Sequence, residues 1–235
     1  MSSPLCEYTV AGREVRIVAT DRSDGDMHPE RVPSEELAAR QRNATGRRWV
    51  MIDEVHGTDV VEVTNDHAGL DVAGIGDVVV TNSVDLDVAV WTADCAPIFL
   101  VADDGTTVGA HGGWKGLADG VVDVAVDAAR RDGGRVVAAV LGPVIGPCCY
   151  EFGHDDLAAV AGGVHARPAA IAGTTVDGST ALDVPAAVRS ALHYHGIVLD
   201  VVGPCTGCDD RWFSHRVRTD LGRHATVASI GRDPQ

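Results

Sequence analysis

The segment that most constrains this chain is Ala110-His111-Gly112-Gly113-Trp114-Lys115-Gly116, where a strand-like pattern gives way to a helical one. Apolar residues recur at helical spacing after it, which predicts a helix over 115–131. The two glycines allow the backbone to approach a ligand closely. A helix N-terminus presents free N–H groups to an anion, and a histidine can bind a metal or transfer a proton. The segment therefore predicts a strand-to-helix junction with a metal ligand beside an anion site.

Strand-like runs rich in β-branched residues surround this junction. They cover 49–55, 59–63, 77–82, 86–92, 97–102, 106–110, 135–141, 197–202 and 225–230, and further helices are expected at 154–161 and 184–195. Asp103-Asp104-Gly105 is typical of a hairpin turn. Because the strands come in runs and do not alternate strictly with helices, we expect an α/β or mixed α+β fold. Its sheets should be mixed and layered, with flanking helices.

The domain organisation is expected to be simple. No linker divides the chain, so a single domain over 1–235 is predicted. Residues 1–48 are expected to be a divergent or flexible portion, in which the polar, Arg/Asp-rich stretch 20–48 forms an arm or a lid. Nothing in the sequence distinguishes a monomer from a homo-oligomer.

Charge and cysteine content narrow the function classes. The net charge of −15 argues against a general basic surface for nucleic acid or an anionic membrane. It leaves room for a small anion site, to which Lys115, the single lysine, could contribute. Residues 1–11 lack the pattern of a signal peptide and no apolar run has the length of a membrane span, so a cytoplasmic protein is expected. Six cysteines in such a protein are expected to be thiols or ligands, not a disulfide framework.

Three side chains at predicted strand ends are candidate metal ligands: His56 in Glu54-Val55-His56-Gly57, Cys95 in Ala93-Asp94-Cys95-Ala96-Pro97, and His111. Loops cluster at strand ends, and sites are commonly built there. If the three converge, two nitrogens and one sulfur suit tetrahedral zinc with one open position. Their spacing matches no short metal motif. The alternative interpretation is that the histidines are hydrogen-bonded strand-end residues and that Cys95 is a small buried apolar residue.

The remaining cysteines and histidines give weaker patterns. Cys148-Cys149 follows a loop rich in glycine and proline, which favours a structural loop with buried thiols. Cys205-Thr206-Gly207-Cys208 is an isolated CxxC; without a second CxxC a structural zinc site is disfavoured, and a redox pair lacks a thioredoxin context. His193 and His195 are interpreted as surface residues, and His165 has no evident partner.

Taken together, the motifs resemble the laccase-domain, or polyphenol oxidase, family of the YfiH type. Its members are regarded as purine nucleoside phosphorylases with adenosine deaminase activity. The matching stretches lie in the family's order between residues 49 and 230. They are EVHG at 54–57, ADCAP at 93–97, HGGWKG at 111–116, GPVIGPCCYE at 142–151, CT at 205–206, FSHR at 213–216 and GR at 222–223.

The resemblance implies that His56, Cys95 and His111 bind zinc, the same three residues that the chemistry suggests. It implies a fold similar to that of bacterial cysteine-dependent deamidase toxins. The implied reaction converts adenosine, inosine or guanosine and phosphate to base and ribose 1-phosphate, with adenosine deaminase and methylthioadenosine phosphorylase side activities.

Further residues are expected to contact the substrate or to assist the reaction. Lys115, Gly112, Gly113 and Arg216 are the expected substrate contacts. Asp94 is expected to orient a ligand or move a proton, or else to be structural.

Several departures from the family pattern alter the surroundings of the expected metal set. Glu54 replaces the family glutamine and adds a negative charge, and Gly112 replaces an alanine. His215 and Val217 replace an aromatic residue and an arginine. Three alternatives stay open. The first is a metal-free hydrolase acting in peptidoglycan precursor editing, with Cys95 as nucleophile and His111 as base. The second is a copper phenol oxidase, for which Cu²⁺ is less favoured than Zn²⁺ because multiple histidine pairs are absent. The third is an inactive paralogue.

Overall fold

The computed structural model describes residues 4–232, within which fourteen strands and seven α-helices are formed. The strands are β1 (Pro4–Val10), β2 (Arg13–Ala19), β3 (Trp49–Asp53), β4 (Val60–Glu62), β5 (Val72–Ile75), β6 (Val78–Thr81), β7 (Asp87–Thr92), β8 (Ala96–Ala102), β9 (Thr107–Gly112), β10 (Val136–Leu141), β11 (Ala172–Thr174), β12 (Thr180–Leu182), β13 (Val201–Val202) and β14 (His224–Arg232). The helices are α1 (Ser34–Thr45), α2 (Trp114–Ala118), α3 (Val121–Ala129), α4 (His154–Gly163), α5 (Pro168–Ile171), α6 (Val184–Tyr194) and α7 (His215–Arg218). Short 3-10 helices span Arg22–Asp24, Asn65–His67 and Pro147–Cys149.

Two six-stranded sheets form the centre of the fold. The first has the order β1-β2-β14-β7-β3-β5 and the second the order β13-β10-β8-β9-β6-β4. Both sheets are mixed. In the first, β14 runs antiparallel to β2 and β7, whereas β3 runs parallel to β7. In the second, β8 runs antiparallel to β9, whereas β4 runs parallel to β6. The strands β8 and β9 form the hairpin predicted at residues 103–105. The expectation of a mixed α/β fold with layered sheets and helices is therefore confirmed, while the likeness to deamidase toxins stays a prediction.

Alternating side chains of the second sheet fill two different cores. Phe99 and Val101 of β8 lie in the core between the sheets, whereas Ile98 and Leu100 lie in the core beneath α3, α4 and α6. Successive side chains of a strand point to opposite faces. A strand buried on both faces therefore reads as a continuous apolar run, which explains the uninterrupted pattern of β8.

The helix predicted over 115–131 is in fact two helices, α2 and α3. Gly120 lies between them with φ +85°, a left-handed conformation that glycine adopts at little cost. The apolar spacing continues across this break, so the hydrophobic pattern does not reveal it. The predicted strands at 59–63 and 197–202 are shorter than expected and correspond to β4 and β13.

The segment 20–48, expected to be an arm or a lid, contributes a packed layer on the outer face of the first sheet. Leu37 and Ala44 of α1 are buried, and they share a core with Met27, Trp49 and Met51. Residues 4–19 form β1 and β2, and β2 pairs with β14 inside the sheet. The polar composition of 20–48 thus coexists with a buried apolar side. The single-domain organisation stays a prediction.

Among residues 4–232, none of the helices combines the length and the apolar character needed to cross a bilayer.

Candidate active site

His56, Cys95 and His111 converge at one edge of the two sheets. His56 lies in the loop after β3 with φ +63°, Cys95 connects β7 to β8, and His111 is in β9. The Sγ atom of Cys95 is 3.9 Å from Nε2 of His56, and one ligand atom of each residue lies within 4.8 Å of the others. A tetrahedral zinc ion with bonds of about 2.1 Å to nitrogen and about 2.3 Å to sulfur would separate the two by about 3.6 Å. The three side chains therefore fit one ion.

Asp77, which sequence reasoning missed, organises this site. Its buried carboxylate accepts hydrogen bonds from Nδ1 of His111 at 2.8 Å and from the backbone N–H groups of His56 at 2.8 Å and Gly57 at 2.6 Å. The bond from Nδ1 leaves Nε2 of His111 for a metal, the arrangement usual for metal-binding histidines. Burial would raise the pKa of Asp77, but the hydrogen bonds from His111 and the loop backbone hold it below its usual value. In the sequence, the role of Asp77 is indicated by its position as a charged residue directly before the apolar strand β6.

Glu54, the residue that departs from the family pattern, points into the site. Its side chain is 2% exposed, with Oε2 at 3.7 Å from Nε2 of His111 and Oε1 accepting the Trp91 N–H at 2.9 Å. Burial raises the pKa of Glu54 to about 8, although the charge of His111 and the Trp91 N–H act in the opposite direction.

The ligand side chains also perturb each other electrostatically. Burial would raise the pKa of Cys95, but the charge and hydrogen bond of His111, together with His56, lower it to about 6. Burial would lower the pKa of His111, but the negative charges of Glu54 and Cys95 raise it well above its usual value. These interactions favour the thiolate form of Cys95, which is the form that binds metals and attacks electrophiles.

Asp94 has both carboxylate oxygens engaged. Oδ1 accepts the Thr206 hydroxyl at 2.6 Å, and Oδ2 accepts the backbone N–H of Arg216 at 2.7 Å. Asp94 therefore ties the strand connection that carries Cys95 to the start of α7. The expectation that it moves a proton stays a prediction.

Two clefts meet at the candidate metal ligands. The smaller, of about 150 Å³, is also lined by Trp114, Tyr150 and Arg216, whose guanidinium lies 4.7 Å above the Tyr150 ring. The larger, of about 350 Å³, is also lined by Glu54, Trp91, His28 and Arg223. Residues shared by both are His56, Ala93, Cys95 and His215. An ion at this junction would face both clefts.

Of the expected substrate contacts at the strand-to-helix junction, Gly112 and Gly113 lie at the site, whereas Lys115 does not. Gly112 lines the smaller cleft, and a Cβ on Gly113 would overlap Cδ2 of His56 and lie 3.2 Å from its Nε2. Gly113 therefore makes room for the His56 ring. Lys115 is exposed, with Nζ 5.7 Å from the centroid of the Trp114 ring, and is not among the residues that line either cleft.

Two further groups of ligand-type side chains occur within residues 4–232. Asp123 accepts hydrogen bonds from Nε2 of both His165 and His195, at 2.8 and 2.7 Å, which supplies the partner of His165 that the sequence did not reveal. The other group brings Cys148 and Cys149 to the CxxC of residues 205–208. That CxxC is isolated along the sequence but not in space.

Comparisons with known proteins agree with this architecture. Residues 19–231 match the family described as multi-copper polyphenol oxidoreductase laccase. A Xylella fastidiosa protein named purine nucleoside phosphorylase is 37% identical over 185 residues, covering 76% of this chain and 70% of that protein. A Streptomyces coelicolor protein also named purine nucleoside phosphorylase is 38% identical, covering 81% and 78%.

Solved structures show the same fold. The Bacillus licheniformis hypothetical protein YfiH superposes with a TM-score of 0.80 at 24% identity, covering 92% of each chain. YlmD from Geobacillus stearothermophilus gives a TM-score of 0.76 at 26% identity, covering 94% of this chain and 92% of that one.

Proposed function

We propose that this chain, which belongs to the multi-copper polyphenol oxidoreductase laccase family, is a zinc-dependent purine nucleoside phosphorylase. Phosphate would attack the anomeric carbon of the ribose, the glycosidic bond would break, and base and ribose 1-phosphate would leave. The observation that carries the proposal is the convergence of His56, Cys95 and His111 where two clefts meet. The names of the relatives support the reaction class.

The donor set favours zinc as the metal. His56, Cys95 and His111 would hold the ion, which when bound supplies a Lewis acid and lowers the pKa of water. A set of two histidines and one cysteine also suits copper. A multicopper centre needs more histidines, and in the described part of the chain the other histidine-containing group has two that share the carboxylate of Asp123. Zinc is therefore preferred to Cu²⁺.

The sizes and linings of the clefts suggest where the substrates bind. The larger cleft has the volume of a small-ligand site and carries aromatic rings, so it is assigned to the nucleoside. The smaller cleft is assigned to phosphate because Arg216 offers a planar guanidinium that can bind phosphate oxygens in pairs. Asp94 positions Arg216 through its backbone N–H. The same site would deaminate adenosine and accept methylthioadenosine as side activities.

A nucleoside panel tests the reaction. Zinc-loaded protein is incubated with inosine, adenosine, guanosine and methylthioadenosine, with and without phosphate, and free base and ribose 1-phosphate are measured. We expect phosphate-dependent release of base, which Cys95→Ala abolishes without unfolding the protein. Folded, zinc-loaded protein that releases no base would contradict the proposal and indicate an inactive paralogue.

A pair of cation variants tests the phosphate position. Arg216→Ala should raise the KM for phosphate at least tenfold, because it removes the cation that lines the smaller cleft. Lys115→Ala is the matched control, since Lys115 is an exposed cation that lines neither cleft. A raised KM in the Lys115 variant alone would instead place phosphate at the N-terminus of α2.

The second candidate is a metal-free hydrolase with Cys95 as nucleophile. It is favoured by the geometry of Cys95, whose Sγ atom lies 3.9 Å from Nε2 of His56, and by His111, the expected base, which lowers the pKa of Cys95. Alkylation with iodoacetamide separates the two functions. A zinc-bound thiolate should react only after a chelator is added, and the chelator should abolish activity. Rapid alkylation without a chelator, together with activity that survives metal removal, would support the hydrolase.

A further inference from the structure

Cys148, Cys149, Cys205 and Cys208 form a compact group of sulfurs, called here the four-cysteine cluster, that the proposed reaction does not use. The Sγ atom of Cys148 lies 3.6 Å from that of Cys205 and 3.2 Å from that of Cys208, and the Sγ atoms of Cys149 and Cys208 are 3.5 Å apart. All four sulfurs lie within 4.8 Å of one another. A tetrahedral zinc ion with Zn–S bonds of about 2.3 Å separates its sulfurs by about 3.8 Å. The cluster therefore has the dimensions of a single four-sulfur zinc site.

Two loops approach each other closely to build the cluster, and glycines make that approach feasible. A Cβ on Gly207 would lie 2.8 Å from Sγ of Cys149, and one on Gly146 would lie 3.3 Å from Sγ of Cys205. The Gly146 N–H donates a hydrogen bond to Sγ of Cys205 at 3.1 Å. Bonds of this kind orient and stabilise metal-bound thiolates.

A cation lies beside the four-cysteine cluster. Zinc with four thiolates carries a net charge of −2, which needs nearby positive groups. Arg218 lies beside the loop, donating from Nη2 to the Thr206 carbonyl at 2.8 Å and from Nη1 to the Gly207 carbonyl at 3.2 Å. A guanidinium, which also pairs with the Asp220 carboxylate at 3.3 Å, is thus fixed next to the CxxC backbone.

We infer that the four-cysteine cluster binds a second, structural zinc ion that clamps residues 146–151 to residues 203–208. Four cysteine thiolates are the donor set of closed zinc sites, which leave no position for substrate. On binding, the thiol protons pass to solvent and no electrons are transferred. Because Tyr150 follows Cys149 and lines the smaller cleft, the ion would also fix one wall of that cleft. The inference is independent of the proposed reaction.

Metal counting on the purified full-length chain tests this inference. Protein prepared with excess zinc under reducing conditions is desalted, and zinc is measured by mass spectrometry. We expect two zinc ions per wild-type chain and one in Cys208→Ser, which alters the exposed member of the cluster. Cys6→Ser is the matched control, because Cys6 lies outside both groups of ligands, and it should keep two. Cys95→Ser should lose the other ion and keep the one in the four-cysteine cluster.

Cobalt substitution adds a spectroscopic readout that leaves all four cysteines of the cluster unchanged. In wild-type protein loaded with Co²⁺, four thiolates should give an intense thiolate-to-metal charge-transfer band, and Cys95→Ser should retain most of it. Two results would overturn the inference. The first is one zinc ion per wild-type chain with no loss of zinc in Cys208→Ser. The second is a disulfide among these four cysteines, seen as a gain of two hydrogens in the mass of the denatured protein when it is reduced.

Discussion

Replacing Asp77 by asparagine should weaken zinc binding at the candidate active site without changing any ligand. The Asp77 carboxylate takes four hydrogen bonds, two on each oxygen. Oδ1 accepts from Nδ1 of His111 and from the His56 N–H, and Oδ2 accepts from the N–H groups of Gly57 and Val55. An amide keeps one oxygen only, so in either orientation its NH₂ faces two donors.

The expected magnitude follows from the role of this carboxylate. If the NH₂ replaces Oδ1, the imidazole of His111 loses the acceptor that fixes its tautomer. If it replaces Oδ2, the loop that carries His56 loses two backbone anchors. Loss of such an outer partner typically costs tenfold to a hundredfold in metal affinity, or about 1.4 to 2.7 kcal/mol. We therefore expect the Kd for zinc to rise by that factor in Asp77→Asn.

The assay is competition between the protein and a chromophoric chelator, carried out in a Cys208→Ser background so that the four-cysteine cluster does not contribute. Asp103→Asn is the control, because Asp103 is a carboxylate at the exposed turn between β8 and β9. Its affinity for zinc should match that of the parent. An unchanged Kd in Asp77→Asn would refute the reasoning, since it would mean that neither the tautomer of His111 nor the loop depends on Asp77.

Three further predictions address packing, stability and pH. Gly113→Ala should displace the His56 ring and reduce the rate of phosphorolysis about 100-fold. The control Gly162→Ala, in a helix with open space around it, should keep full activity and be neutral or stabilise by up to about 1 kcal/mol in urea unfolding. Equal activities of the two variants would contradict this prediction. Phe99→Ala, between the sheets, should lower the free energy of unfolding by about 3 to 5 kcal/mol, and a loss below 1 kcal/mol would argue against a packed interface. Burial lowers the pKa of His224 to about 3, below the value of about 6.5 expected when unfolded. Between pH 6.5 and 3 the unfolded chain therefore binds one more proton than the folded chain. The free energy of unfolding should fall as the pH drops through this range, by up to about 1.4 kcal/mol per pH unit. His224→Gln should reduce this pH dependence in urea titrations, and an unchanged pH dependence would be evidence against the prediction.

Local sequence patterns predict most of the fold because strands buried on both faces carry unbroken apolar runs. The runs that became β6, β7, β8 and the buried part of β10 are of this kind, and the limits of these strands in the structure lie within one residue of those expected. The break at Gly120 could not be predicted in the same way, because the apolar spacing of α2 continues into α3. Packing of α1 was likewise hidden, since its buried residues are few and its other positions are polar.

The candidate active site was only partly predictable, for a different reason. Residue type marks His56, Cys95 and His111, because imidazole and thiolate bind metals and all three side chains lie at predicted strand ends, where sites are commonly built. Asp77 carries no such mark, and its role depends on the pairing of β6 with β9, which places Val78 opposite Ala110. The sequence did not predict that Cys148 and Cys149 lie beside the CxxC of residues 205–208, because an adjacent pair of cysteines does not match a second CxxC motif.

The topology explains why the three ligands meet. In the β8–β9 hairpin, Ala96 pairs with Gly112, so Cys95 emerges next to Gly113 and close to His111 within the second sheet. His56 comes from the other side, since it follows β3 of the first sheet. An ion held by all three therefore joins the two sheets at one edge. Because the unfolded chain cannot bring these residues together, the free energy of metal binding adds to that of folding. The proposed catalytic ion would therefore also stabilise the contact between the sheets, and metal removal should lower the melting temperature as well as activity.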